Sequence, residues 1–426
     1  MKNSGIPWIG MIPSDWEVCF TKQLMRNKSI KGFPDEQVLS LYRDYGVVPK
    51  DSRDDNHNVT SEDTATYKLV EVGDFVINKM KAWQGSMAIS AYRGIISPAY
   101  YICRFTNESV NRRYIHYLLR NETYKTEYRR LSTGLRVGQW DLNIDDFLHI
   151  PAILPPLPTQ QRIADFLDWK CAEIDELAAL QETMIAELKR YKQSVITEAV
   201  SKGLDPDVPM KDSGVEWIGE IPEGWEVKKV KNVTTAINKG NGITKEEVFA
   251  DGDTPCVRYG EIYSKYDNSF VTCISKTKKD VLSTLHYFGN GDILCAGTGE
   301  LVEEIGKSIV YLGDNKCLAG GDIIVLSHNQ NPLFLNFALN SRYAQAQKSC
   351  SKAKLKVVHI SAYDIGSVLI AFPPLSEQRA IADYLDRKCA EIDELIAIKQ
   401  QKIEALKEYK KSVIFEYVTG KKEVEL

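Results

Sequence analysis

Basic and aromatic side chains recur together in the turn-rich stretches of this chain. They form Tyr42-Arg43, Lys79-Met80-Lys81-Ala82-Trp83-Gln84 and Leu135-Arg136-Val137-Gly138-Gln139-Trp140. Further on come Arg258-Tyr259, Lys265-Tyr266 and Lys352-Ala353-Lys354-Leu355-Lys356. A guanidinium can hold guanine through two hydrogen bonds, a glutamine amide can do the same for adenine, and an ammonium neutralises phosphate. The candidate DNA-contact residues are therefore Tyr42, Arg43, Lys79, Lys81, Gln84, Arg136, Gln139, Arg258, Tyr259, Lys265, Lys354 and Lys356. Taken singly, each is equally well a solvated surface residue. The clusters carry the argument.

Catalytic patterns fail on inspection. Gly306-Lys307-Ser308 ends like a phosphate-binding loop, but Leu301 stands where the first glycine is needed. Gly297-Thr298-Gly299 does not extend to G-x-G-x-x-G. Asn331-Pro332-Leu333-Phe334 is near an amino-methyltransferase motif, but Leu333 breaks it. Glu187-Leu188-Lys189 has nuclease-like spacing, yet it lies in a helical repeat where a structural face explains it. His116, His149 and His359 have no metal-ligand spacing.

The elements that must position these clusters are themselves duplicated. The block MKNSGIPWIGMIPSDWEV at Met1–Val18 returns as MKDSGVEWIGEIPEGWEV at Met210–Val227. PPLPTQQRIADFLDWKCAEIDEL at Pro155–Leu177 returns as PPLSEQRAIADYLDRKCAEIDEL at Pro373–Leu395. The intervening segments, 19–154 and 228–372, share only scattered residues. A repeated frame with unlike inserts places two different reading surfaces in equivalent positions.

After each Pro-Pro-Leu turn, Thr159 and Ser376 are candidate helix caps. Beyond those caps, proline and glycine stay away until Gly203 and Gly420. This predicts helices of about 40 residues, or ~60 Å at ~1.5 Å per residue. The apolar spacing predicts a coiled-coil seam through Ile163, Leu167, Ile174, Leu177, Met184, Leu188, Tyr191 and Val195. In the second copy it runs through Ile381, Leu385, Ile392, Leu395, Leu406, Tyr409 and Val413, with Lys170, Lys388, Gln181 and Lys399 as polar interruptions. Two such seams in one chain pair most economically with each other, antiparallel about a pseudo-twofold axis. The N-terminal block should then pack near the C-terminal helix end.

Within the inserts, Val72–Ile77 and Asn290–Leu294 read as turn-then-strand units at the same distance before their helices. They predict a shared scaffold. Helices are expected near Arg112–Arg130 and Pro332–Gln347. The chain of 426 residues has a formal charge of −4. Residues 19–154 hold 19 Lys and Arg against 16 Asp and Glu, and residues 228–372 hold 17 against 14. The inserts are thus mildly basic and the frame is acidic, which suits DNA on the inserts and a basic protein on the frame. Ordinary charge scatter would produce excesses of the same size. Nine cysteines without a C-x-x-C pair suggest free thiols in a reducing cytoplasm. No apolar run approaches the ~20 residues of a membrane span.

The two W-I-G-x-I-P-x-x-W-E-V blocks and the two Pro-Pro-Leu…Gln…Ile-Ala-x-(Phe/Tyr)-Leu-Asp helices together resemble the specificity subunits of type I restriction-modification systems. The resemblance spans the whole chain. It departs mildly at Thr159-Gln160-Gln161, where the second copy has Ser376-Glu377-Gln378. It implies an α+β fold: two mixed α/β target-recognition domains separated by a long antiparallel two-helix coiled coil, with a pseudo-twofold repeat. The expected organisation is a first recognition domain at 1–154, a spacer helix at 155–203, a second recognition domain at 204–372 and a second helix at 373–426. Each domain would bind one half of a bipartite motif in double-stranded DNA, and the helices would set the gap. Expected partners are two methyltransferase subunits and restriction subunits. S-adenosylmethionine, ATP and magnesium belong to those partners, with no cofactor, metal or catalytic residue in this chain. Two other readings stay open, a self-contained DNA methyltransferase and a coiled-coil scaffold without a DNA role.

Overall fold

The computed structural model describes residues 1–43, 45–52, 64–134, 140–282, 285–299, 302–350 and 358–424. The chain divides into two compact units, Met1–Glu182 with Gln401–Leu426, and Thr183–Gln400. Each contains one α/β domain and one half of each long helix.

The frame closes around the insert in the same way in both units. In the first, Glu17–Phe20 pairs antiparallel with Pro151–Leu154. In the second, Glu226–Lys229 pairs with Leu369–Phe372. The insert therefore leaves and returns through one two-stranded gate. Ahead of each gate the repeated block makes a small ladder, Lys2–Asn3 with Met11–Ile12 and Met210–Asp212 with Glu220–Pro222. Trp16 and Trp225 are buried beneath these ladders.

The inserts share a scaffold that their sequences hide. The first builds an antiparallel sheet in the order Met25–Lys28, Tyr100–Phe105, Phe75–Asn78, Met87–Ile89. The second repeats that order with Thr234–Lys239, Ile323–His328, Ile293–Ala296 and Ser308–Tyr311, then adds Ser269–Phe270 as a parallel edge strand. The turn-then-strand units are the entry to the third strand in each order. Asp74 and Asp292 staple those turns by accepting the backbone N–H of Glu71 at 2.7 Å and of Gly289 at 2.8 Å. The expected single helices are each two. Asn121 ends Arg112–Arg120 and caps Glu122–Leu131 with its side-chain oxygen. Asn340 and Ser341 separate Pro332–Leu339 from Arg342–Ser349. Side chains that bond backbone N–H groups compete with helix continuation, so these residues read as caps.

The long helices run over Leu157–Lys202, 46 residues, and Leu375–Val418, 44 residues. Thr159 and Ser376 lie inside the first turn, and the Pro156 and Pro374 carbonyls accept the early helical N–H groups of Gln160 and Gln378. In the first unit, the Phe166 and Tyr417 rings meet at 4.4 Å and Lys410 bonds Asp175 at 2.7 Å, so the helices are antiparallel. In the second, Lys192 bonds Asp393 at 2.7 Å, and Ile196 and Val200 share a core with Ile381 and Leu385. The repeat aligns Asp175 with Asp393 and Lys192 with Lys410, so one bridge is made twice.

The seam keeps every second expected layer, at Leu167, Ile174, Gln181, Leu188 and Val195, and shifts the layers between them by one residue. Leu177 is 41 % exposed, Tyr191 51 % and Tyr409 50 %, and Met184 and Leu395 are exposed too. The buried and half-buried positions are Leu167, Cys171, Ile174, Ala178, Gln181, Ile185, Leu188, Lys192 and Val195, with Leu385 to Val413 repeating the pattern. This is a strict 4-3 alternation. Gln181 and Lys399 do interrupt it, whereas Cys171 and Cys389 occupy the places expected for Lys170 and Lys388.

The N-terminal block meets the C-terminal helix end within the first unit. The Lys421 ammonium bonds the Ile9 carbonyl at 3.0 Å, and the Tyr114 hydroxyl bonds the Val418 carbonyl at 3.1 Å. Gly420, at φ +67°, lies against Pro13 and Trp16 where a Cβ would collide. Gly203, at φ +78°, lies against Trp225 and Pro222 in the second unit with more room.

Candidate nucleic-acid interface

In the first unit the candidate residues sit on two loops at the sheet. Lys79, Lys81 and Gln84 belong to the 3-10 turn Lys79–Gln84, which follows the strand Phe75–Asn78 and is capped by Asn78. Trp83 in that turn meets Trp140 edge to face at 5.4 Å, and the Arg129 guanidinium lies over Trp140 at 5.8 Å. Lys79 pairs with Asp141 at 3.1 Å, and its carbonyl accepts the Leu142 N–H at 3.1 Å. The turn is thus tied to Trp140, Asp141 and Leu142, just past the segment that holds Arg136 and Gln139. Those two residues lie outside the described residues.

Tyr42 and Arg43 end the strand Leu39–Tyr42 of a hairpin with Gly46–Pro49. Tyr42 packs edge to face with Tyr45 at 6.3 Å and neighbours Tyr100. The Arg43 carbonyl accepts from the Arg120 guanidinium. Nearby, the Lys68 ammonium bonds the Tyr100 carbonyl at 2.7 Å. Burial, then the nearby Lys31 and Lys79 charges, hold the Lys68 ammonium below the usual lysine range. Crowded ammonium groups of this kind favour a polyanion.

In the second unit, Arg258 and Tyr259 line a cleft of about 710 Å³. Lys239 and Lys245 also line it, and Asp322 is the one carboxylate among the described residues that do. The floor is glycine-built because two backbone segments nearly touch. A Cβ at Gly240 would collide with the carbonyls of Ala319 and Gly320. Buried Asn241 fixes this approach, donating to the carbonyls of His286 at 3.0 Å and Ala319 at 3.1 Å and accepting the His286 N–H at 2.8 Å. Beyond Asp322, its carbonyl accepts the Gly297 N–H at 2.6 Å, and the Gly297 carbonyl accepts the Ile360 N–H at 2.9 Å. That last bond is the counterpart of Leu142 to Lys79 in the first unit. Lys265 is exposed at the end of the helix Tyr259–Ser264, outside the cleft lining. Lys354 and Lys356 lie outside the described residues.

The motifs set aside as noncatalytic have structural duties. Asn331 caps Pro332–Leu339 by accepting the Phe334 N–H at 2.9 Å. Gly306 gives its carbonyl to the buried Lys348 ammonium at 2.8 Å. His116 is buried beside Arg120, and burial first, then that charge, lowers its imidazole to about 3. Sequence reading missed Lys31, Lys68, Arg129, Lys239 and Lys245, because each stands alone in sequence and joins a cluster only through the fold. No helix among the described residues is long and apolar enough to cross a membrane.

Known proteins share this architecture. A putative type I restriction enzyme MjaX specificity subunit of Methanocaldococcus jannaschii is 24 % identical over 440 residues, covering 97 % of this chain and 95 % of its own. The MjaVIII specificity subunit of the same organism is 25 % identical, covering 96 % and 93 %. The EcoKI specificity subunit of Escherichia coli is 27 % identical over 286 residues, covering 66 % and 59 %. Among solved structures, a chain from a study of complex assembly and conformational transition of the type I R-M system superposes with TM-score 0.70 at 16 % identity, covering 96 % of this chain and 98 % of its own. The HsdS subunit of Thermoanaerobacter tengcongensis gives 0.52 at 16 % identity with the same coverage. These two show the shared fold. The type I restriction modification DNA specificity domain matches residues 13–190 and 222–408, one copy on each repeat, and the chain belongs to that family.

Proposed function

We propose that this chain is the DNA-recognition subunit of a type I restriction-modification complex. Each α/β domain binds one half of a bipartite motif in double-stranded DNA, and the paired helices set the gap between the halves. The observation that carries this reading is the pair of four-stranded scaffolds with one strand order and unlike cation-bearing additions. A single-site enzyme has no use for two different surfaces on one scaffold.

Catalysis is assigned to partners. S-adenosylmethionine, ATP and magnesium act on two methyltransferase subunits and on restriction subunits, and this chain supplies the address. The helices offer docking area. Trp169, Leu177 and Leu180 are exposed in the first unit, and Tyr191, Leu395 and Ile398 in the second. Exposed apolar side chains in a series along one helix suit a protein partner.

The test is an exchange of the first insert, residues 19–154, for that of a related chain, followed by methylation sequencing with the methyltransferase partner. One half of the motif should change while the other half and the gap stay. A simultaneous change in both halves would contradict the two-reader assignment.

A further inference from the structure

Two thiols share the wall of another cleft in the second unit. Cys273 and Cys317 both line a cavity of about 620 Å³, which Lys276, Lys279 and Lys316 line as well, together with Asp253. The cysteines come from segments that fold against each other. The Phe270 carbonyl accepts the Leu312 N–H at 2.8 Å. Gly313 has no room for a Cβ, because the Val271 carbonyl and the Tyr311 hydroxyl fill that space. Cys273 follows one side of this contact and Cys317 the other, and both join the core of Tyr266, Phe270, Phe288 and Tyr311.

The two thiols differ in character. The Cys273 thiol donates to Cys317 and, with the Tyr311 hydroxyl, holds the Cys317 thiol below the usual range, although burial opposes this. Giving that bond pushes Cys273 up, and burial adds to the effect. Elsewhere in the unit, burial pushes Cys256 and Cys295 up to about 12. The Cys317 proton itself has a long contact, 3.7 Å, to the Asn315 carbonyl. An acidic thiol beside a second thiol, in a cleft with more lysine than acid, has the surroundings of a peroxide-reactive cysteine.

We propose that Cys317 and Cys273 are an oxidisable pair that meets a hydroperoxide in this cleft and closes into a disulfide. With hydrogen peroxide, the Cys317 thiolate attacks one oxygen, so the S–O bond forms and the O–O bond breaks. The departing hydroxide takes up the proton that Cys317 released and becomes water. The Cys273 sulfur then attacks the Cys317 sulfur. The S–S bond forms, the S–O bond breaks, and the second hydroxide leaves as water with the Cys273 proton. Two thiols lose two electrons, and one hydrogen peroxide becomes two waters.

The new bond has a route to DNA reading. A disulfide is about 2.05 Å long, well inside the contact distance of two thiols, so closure draws the strand Cys317–Ala319 toward Cys273. That strand runs on into Gly320, Gly321 and Asp322 of the Arg258 cleft. The Gly320 N–H bonds the Val257 carbonyl at 2.7 Å, one residue before Arg258. Close-packed interiors pass such shifts along. Oxidation weakens the second half-site and spares the first, a consequence that rests on the two-reader assignment above.

In the test, the full chain with its methyltransferase partner is treated with hydrogen peroxide and digested without reductant. Mass spectrometry should find the Cys273 and Cys317 peptides joined, and dithiothreitol should part them. Affinity for DNA carrying the bipartite motif should fall about ten- to a hundredfold, the range of one base contact, and recover with the reductant. Cys273→Ser should leave a trappable sulfenic acid on Cys317. Both Cys273→Ser and Cys317→Ser should keep their affinity through the treatment. The crosslink is read on the wild type, so a poorly folding variant does not decide the matter. Absence of the crosslink, unchanged affinity once it has formed, or equal loss in the serine variants would overturn the proposal. A crosslinked chain whose wild-type complex has no bipartite motif would keep the pair and sink the two-reader assignment.

Discussion

The side-chain carbonyl of Gln160 accepts the backbone N–H of Asn111 at 2.8 Å, deep in the first unit. Its amide donates to the Pro155 carbonyl at 2.8 Å. Gln378 makes the same pair of bonds to Asn331 and Pro373, at 3.1 and 3.0 Å. Each glutamine is 1 % exposed and joins a long helix to a capping asparagine, Asn111 of Arg112–Arg120 or Asn331 of Pro332–Leu339. Its orienting role explains why glutamine recurs in both repeats. Gln160→Ala should leave the Asn111 N–H buried and unmet, costing about 1–3 kcal/mol. Urea unfolding of the variant should show a lower midpoint; an unchanged midpoint would mean that the strut contributes nothing.

The interhelical bridge predicts a charge experiment. Lys192→Glu places like charges at Asp393 and should destabilise by about 0.2–1 kcal/mol, since both groups are partly exposed. The loss should shrink at high salt. The double exchange Lys192→Asp with Asp393→Lys should recover most of it. Recovery no better than the sum of the single changes would show that the contact carries no coupling.

Lys348 predicts a pH dependence. Burial lowers its ammonium to about 8, against about 10.4 in an unfolded chain. Below pH 8 both states carry the proton, and the folded state bears the full cost of a buried charge. Between about 8 and 10.4 the unfolded state holds more protons, so this group makes stability rise with pH. Lys348→Met should abolish that rise. Unfolding midpoints measured from pH 7 to 10 should therefore climb in the wild type relative to the variant, and parallel curves would refute the assignment.

The gap should follow helix length. Seven residues inserted after Glu182 and seven after Gln400 keep both seams in phase and fall at the sequence boundaries of the two units. Each insertion adds ~10.5 Å at ~1.5 Å per residue, or about three base pairs at ~3.4 Å. Methylation should move to a motif with the same halves and a longer gap, or cease where DNA twist turns a reader away from its groove. A folded variant active at the original gap would show that the helices do not measure DNA.

Much of the frame was legible because duplication marks its ends. Alternate layers of the seam were not. Leu177 and Tyr191 are larger and more apolar than their neighbours Ala178 and Lys192, and a reading by hydrophobicity selects them. The closely packed seam instead takes small residues and lysine stems, leaving the larger side chains outside. The scaffold was legible only as two turn-then-strand units, since strand order is a long-range property. Of the candidate residues, the sequence named Arg258 and Tyr259, which share a cleft. The cleft was hidden because Lys239, Arg258 and Asp322 meet only when glycines bring separate backbone segments together.

The bridges between the long helices each take one acid and one lysine, a different one from each repeat. The first repeat alone therefore owns both complementary groups, Asp175 and Lys192, on a seam that matches its own duplicate. A chain truncated after Gly203 would keep one reader and a self-complementary helix. Two such fragments could zip together antiparallel, with true twofold symmetry replacing the approximate kind. Their target would be a palindrome, one half-site repeated in inverted order.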